Sequence, residues 1–308
     1  MIGLCKKGMF SVNFVVSFES ITTNDFVFGK YTKIFHGGMK MTRFSILFPV
    51  ALVLIFIPLM AMGLDPDLVL YMPFEEGAGD KVKDMSGKGN DGEIVDAEWT
   101  NDGKFGKALK FNGTSSQVII QSSASLQPDD SDFTIEAWIK ADPGSQDWAR
   151  VVDKFYGTGY CFGKRGGDLV IGSEFGGNPN DFASTTEVFD NEWHHVALVR
   201  DVKGVEDLKV SQLKIYVDGV KENEIVAPNA DVHNMDTTPV RIGAGDECCE
   251  EGPSDNAAYF YKGIIDEVLI YRKALTDDEI MTDMESGAVT AVQPSRKLST
   301  TWANIKGY

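Results

Sequence analysis

The chain has 308 residues, with 29 Lys and Arg against 46 Asp and Glu, a formal charge of −17. Such a balance excludes electrostatic capture of nucleic acid or of an anionic membrane surface as the main activity. With 43% hydrophobic and 24% charged residues the composition is globular, so the acidity is surface excess rather than that of a disordered polyanion.

Residues 44–62 (FSILFPVALVLIFIPLMAM) carry no charge and follow Lys40 and Arg43, the order of a secretory signal. Ala61 and Gly63 are small residues suited to a cut after Gly63. Residues 39–63 therefore read as a signal peptide, giving a secreted or cell-surface protein with no membrane attachment after cleavage. A retained N-terminal anchor is the alternative, because about 18 apolar residues span a bilayer; Pro49 and Pro58 weigh against it. Residues 1–38 match neither a signal nor a domain and read as an over-extended gene start, since Met39 or Met41 offers an ordinary one. The 245 residues after Gly63 carry a net charge of −21 and suffice for one large domain, 64–285, followed by a tail, 286–308, that contains Trp302.

Past Leu64 the pattern is short alternating runs between clusters of Gly, Asn, Asp and Pro. In FTIEAWIK, Phe133, Ile135, Ala137 and Ile139 share one face and Thr134, Glu136, Trp138 and Lys140 the other, the period of a half-buried strand. The same period recurs at 118–120, 193–199, 213–218, 239–242 and 264–271, and Asp218-Gly219 signals a tight hairpin. Thr276 and Glu279 form a capping box that opens a short helix over 277–284. The expected fold is all-β, a two-sheet antiparallel jelly-roll sandwich closed by a short C-terminal helix.

Six ordered segments (LVLYMPFEEGAGDKVKDMSGKGNDGEI, GKFGKALKFNGTSSQVII, DFTIEAWIKAD, EWHHVALVRD, LKIYVDGVKE and FYKGIIDEVLIYRKALTDDEI) resemble the laminin G-like, concanavalin A-like jelly-roll domains of exported bacterial proteins. The resemblance runs from Leu68 to Met284. It implies two antiparallel sheets, one bent around a concave face, a structural calcium ion, and a mostly non-catalytic module that binds glycans or proteins. It does not name a ligand, because one fold hosts many functions.

The residues offer their own case for calcium. Asp266 lies in an apolar strand, on the same alternating face as Ile264, Val268 and Ile270, where a carboxylate is costly unless paired. The loop DMSGKGNDG supplies Asp84, Ser86, Asn90 and Asp91, hard oxygen ligands of the type calcium takes. The bland alternative has Asp266 facing outward and Asp84 capping a turn. Similar domains hold the ion between the first strand's loop and the last strand's Asp, which adds Glu75 or Glu76 and the Asn112 carbonyl. The expected set is Glu76, Asp84, Asn90, Asn112 and Asp266.

Sugars need exposed aromatic faces beside polar groups, and the candidates are Trp138, Trp148, Tyr156, Tyr160 and Tyr216. Arg165, in the loop GTGYCFGKRGG, joins Trp138, Tyr160 and Tyr216 as an expected ligand residue. Cys161, Cys248 and Cys249 allow one bridge from Cys161 to the adjacent pair, or one within the pair. The acidic run around Cys248 and Cys249 is a second calcium loop or a solvated one. No paired-acid motif of jelly-roll glucanases, no Gly-x-Ser-x-Gly and no His-Glu-x-x-His occurs. The expectation is a non-catalytic, calcium-stabilised module for a glycan or a cell-surface partner; the alternatives are a divergent glycan hydrolase or lyase, and an adhesion protein without a small ligand.

Overall fold

The computed structural model describes residues 64–129, 131–154, 159–175, 182–202, 210–228, 237–246 and 257–286. The expected gene start, signal peptide and nearly all of the C-terminal tail, together with Tyr156, Cys248 and Cys249, lie outside the described residues.

In chain order the strands of the first half are β1 (Leu68–Met72), β2 (Lys81–Val82), β3 (Gly92–Val95), β4 (Glu98–Thr100), β5 (Ala108–Asn112), β6 (Gln117–Ile120), β7 (Phe133–Ala141), β8 (Arg150–Lys154) and β9 (Tyr160–Lys164). The second half adds β10 (Val170–Phe175), β11 (Ala183–Glu187), β12 (Trp193–Asp201), β13 (Val210–Val217), β14 (Val220–Pro228), β15 (Val240–Ile242), β16 (Gly245–Asp246), β17 (Ala257–Ala258), β18 (Lys262–Tyr271) and the helix α1 (Asp277–Ser286). Sheet one runs β14-β13-β12-β7-β18-β5-β4, with β1 also on β18; sheet two runs β11-β10-β9-β8-β15-β6-β3-β2. Every strand pair is antiparallel, as expected for the sandwich.

The main core is made by alternation. Phe133, Ile135, Ala137 and Ile139 of β7 pack with Val196 and Leu198 of β12 and Ile215 and Val217 of β13, facing Val118, Ile120, Val151, Phe162 and Ile242 of sheet two. The Asp218-Gly219 turn carries φ of 49° and 76°, both left-handed, as a two-residue hairpin requires. The capping box forms too: Glu279 N–H donates to Thr276 Oγ1 at 3.3 Å and Thr276 N–H to Glu279 Oε2 at 2.9 Å.

Sheet one has a second apolar layer on its outer face. Leu68, Tyr71, Ala197, Val199, Tyr216, Leu269 and Tyr271 are buried there with Leu275 and with Ile280 of α1. The helix therefore covers a face that alternation alone assigns to solvent.

β18 changes phase in mid-course. It pairs with β5 over 262–265 and with β1 over 268–271, and its register against β7 slips between Asp266 and Leu269. Glu267 sits at the slip with φ of 50°, a bulge. Asp266 pairs with Trp138 and faces outward with it, whereas Val268 and Ile270 join the main core. The expected single face for Ile264, Asp266, Val268 and Ile270 is thus corrected: the bulge resets the alternation between the second and third of them.

Ile135 is fully buried at the centre of sheet one, while Val220 is 62% exposed. Ile135→Ala is expected to cost about 2–5 kcal/mol in urea unfolding, and Val220→Ala within about 0.5 kcal/mol of zero.

Candidate functional site

Among the expected ligand residues, Arg165 stands at a cavity. Trp138 is 6% exposed; Lys104 Nζ lies 3.7 Å over its ring, and Phe105 and His195 pack against it edge-on. Tyr160 is wholly buried in the main core, 4.9 Å from Phe133. Tyr216 is buried under α1, its hydroxyl donating to Asp277 Oδ1 at 2.8 Å. These three expectations are corrected for two reasons: Tyr160 points into the main core between the sheets, whereas segment 103–107 and α1 cover Trp138 and Tyr216 on the outer face of sheet one.

The groove at Arg165 has a volume of about 590 Å³ and is lined by Trp148, the turn Arg165–Asp168, Val170, Ala183, Ser184, Thr185 and Asn223. Trp148 is half-buried, with its main-chain N–H donating to the Gly166 carbonyl at 3.2 Å and the Arg165 guanidinium carbon 4.8 Å from its ring centre. Gly166 has φ of 55°, and a Cβ there would touch the indole at 3.5 Å. Glycine thus both makes the turn and leaves that part of the ring uncovered. Asp168 is exposed and its carboxylate accepts no hydrogen bond among the described residues.

The opposite wall is fixed by a staple between the two sheets. Glu222 of β14 accepts from Thr185 N–H at 2.8 Å, Thr186 N–H at 2.9 Å and both threonine hydroxyls, and Asn223 Nδ2 donates to the Ala183 carbonyl at 2.9 Å. Burial raises the Glu222 pKa, but the bonds from Thr186 and Thr185 outweigh it and hold the carboxyl below its ordinary value.

The expected calcium set is not assembled by the described residues, among which no three His, Cys, Asp or Glu side chains converge. Asp84 accepts from the N–H groups of Tyr71, Ser86 and Asn90 and from Ser86 Oγ. Asn112 Oδ1 accepts from the N–H groups of Thr114, Ser115 and Ser116 and from Thr114 Oγ1. Asn90 donates to the Val69 carbonyl and Ser125, and Glu76 accepts from Lys83 N–H. The Asp84 carboxylate and Asn112 Oδ1, filled by N–H and O–H donors, do not fit a cation as they stand. Cys161 is buried in β9, and no disulfide occurs among the described residues.

Asp266 lies where β5 gives way to β1. Its carboxylate accepts from the N–H groups of Phe105 at 3.0 Å, Glu267 at 2.9 Å and Lys104. Glu267 accepts from the Tyr71 hydroxyl at 2.9 Å and lines a second cavity of about 580 Å³ with Tyr71, Pro73, Glu75, Phe105 and Met85. Burial, only partly offset by the amides, pushes Asp266 up to about 7; burial and the neighbouring Asp266 push Glu267 up to about 8. Sequence reasoning missed this bulge and the groove's far wall, since neither carries a local motif.

Both acids hold protons in the folded state at pH values where the unfolded chain has lost them, so their contribution to stability is full below about pH 4 and is lost as pH rises through 7 and 8. The melting temperature is expected to fall between pH 5.5 and 8.5, and Glu267→Gln to flatten that fall; an equal slope in the variant contradicts it. At pH 6, melting with EGTA is expected to equal melting with added calcium, and a higher melting point in calcium would reinstate the ion.

Comparison with solved structures finds similar chains, the first of which, with a TM-score above 0.5, has the same fold. The binding domain of botulinum neurotoxin serotype D/C VPI 5993 is 15% identical with a TM-score of 0.51, the match covering 74% of this chain and 52% of that one. Domain 4 of AbnA, a GH43 extracellular arabinanase from Geobacillus stearothermophilus solved with arabinotriose, is 18% identical with a TM-score of 0.49, covering 70% of this chain and 97% of that one. The binding domain of Paraclostridial Mosquitocidal Protein 1 is 20% identical with a TM-score of 0.48, covering 71% and 52%. The match thus spans about half the length of each toxin chain. No curated protein matches the chain in sequence. The family model Laminin_G_3, described as the concanavalin A-like lectin/glucanases superfamily, matches residues 112–281, more than half of the chain. The chain belongs to this family.

Proposed function

We propose that the protein is a non-catalytic binding module of the exported type, and that it takes a neutral saccharide in the groove at Trp148. The observation that carries the reading is the half-buried indole beside an open glycine turn, with a cationic fork and an unengaged carboxylate within the same groove. The apolar C–H face of a pyranose stacks on an indole, while its hydroxyls donate to Asp168 and accept from Arg165. A volume near 590 Å³ falls within the ordinary range of ligand sites. The exposed carboxylate of Asp168 and the net charge of −17 disfavour a polyanionic glycan. A protein partner at a cell surface that presents a glycan would be held in the same way.

A second reading, glycan hydrolysis, draws on the other cavity. There Glu267, raised to about 8, stands beside Glu75, a protonated acid near a second carboxyl group. Its apolar walls and the Tyr71 bond on Glu267 suit a structural acid better.

A glycan array followed by calorimetry on the best hit tests both readings. Trp148→Ala is expected to weaken binding at least tenfold, about 1.4 kcal/mol, with little change in melting temperature, and Asp168→Asn to weaken it less. Binding indifferent to Trp148→Ala refutes the groove, and polysaccharide turnover lost in Glu267→Gln would establish the hydrolase instead.

A further inference from the structure

We propose that helix α1 is held on sheet one by a proton shared between Glu136 and Asp283, so that alkaline pH releases the helix and uncovers the outer apolar face. Glu136 of β7 is 0% exposed and Asp283 of α1 is 2% exposed. Neither oxygen of Glu136, nor Oδ1 of Asp283, meets a donor from the protein. The remaining oxygen, Asp283 Oδ2, accepts from the Tyr271 hydroxyl at 2.7 Å.

Two apposed carboxylates without donors are costly, and one proton resolves the cost by making one acid the donor to the other. Glu136 is the donor: burial first, then the charge of Asp283 and the bond to it, raise the Glu136 carboxyl well above its usual range. Asp283 receives the bonds of Tyr271 and Glu136 as the carboxylate, though burial still raises it. The pair thus titrates as one unit.

Among the described residues no donor replaces the proton. β18 presents Tyr271, α1 adds Glu279, and Asp65 approaches from the chain before β1, both of these acids disfavouring a second negative charge. Glu267 lies near enough to be raised further by Asp283. β12 contributes Ala197 and Val199, β1 contributes Leu68 and Tyr71, and β13 contributes Tyr216, whose hydroxyl is bonded to Asp277. Lys273 pairs with Asp65 and Glu279 rather than with Glu136 or Asp283. Losing the shared proton therefore leaves two facing negative charges under the helix, and the short route to water is for α1 to lift away. Leu275 and Ile280 leave the outer face with it.

Hydrogen exchange of the α1 amides, expressed as protection relative to the intrinsic rate at each pH, tests the latch in the full chain. Between pH 6 and 9 the wild-type helix is expected to lose at least tenfold in protection while β7 and β12 keep theirs. Glu136→Gln supplies a permanent N–H donor and is expected to keep the helix protected at pH 9; Asp283→Asn should do the same from the other side. Unchanged wild-type protection, or an equal loss in both variants, overturns the proposal. If neither variant folds, carboxyl-carbon NMR of the wild-type protein decides: a midpoint for Glu136 well above the ordinary carboxylate range is expected, and one within that range refutes the shared proton.

Discussion

One central strand must serve two different neighbours along a single edge, and the rest of the sandwich depends on how that is arranged. β18 stays paired with β7 throughout, but its other edge passes from β5 to β1. At the passage, main-chain amides of the segment before β5 have no strand partner, and a buried unpaired amide is costly. Asp266 accepts them, at the expense of a carboxyl pushed up to about 7. The anchored segment lays Lys104 and Phe105 over Trp138. Together with α1, it turns the outer face of sheet one into a second core.

That closure decides where a ligand can go. A jelly roll with an open sheet face offers its strand residues to a sugar, and here those residues, Trp138 and Tyr216 among them, are covered. The proposed saccharide site lies instead at the sandwich edge, where β11 and β14 meet. Glu222 joins the two sheets there through four donors of Thr185 and Thr186, so one groove wall is rigid, while the other is a glycine turn backed by Trp148. A preorganised wall lowers the ordering cost that weak saccharide contacts must overcome.

The sequence shows the main core because alternation is a local signal, and the Asp218-Gly219 turn and the Thr276 cap are equally local; all of them form as read. What it hides is non-local. That Trp138 and Tyr216 are buried depends on which segments fold back over them, that Tyr160 is buried depends on which face of β9 meets sheet one, and the phase change at Asp266 depends on β18 changing partners. Alternation counted straight through IIDEVLIY assigns Val268 to the face of Asp266, and only the bulge separates them. Asp84 was legible as a turn cap and Asn112 as a ligand the resemblance implies, but neither as a saturated acceptor. Their donors are main-chain amides, which every sequence contains and no pattern marks. Arg165 and Trp148 were both visible as candidates; their meeting across the turn was not.

The most direct test of saccharide capture at the sheet edge is amide and indole NMR shift mapping while neutral oligosaccharides are titrated into the labelled protein. Shifts confined to the Trp148 indole, residues 165–168 and residues 183–185 are the predicted result. Saturable shifts centred on Tyr71, Phe105 and Glu267 instead, or none with any neutral sugar, would contradict it.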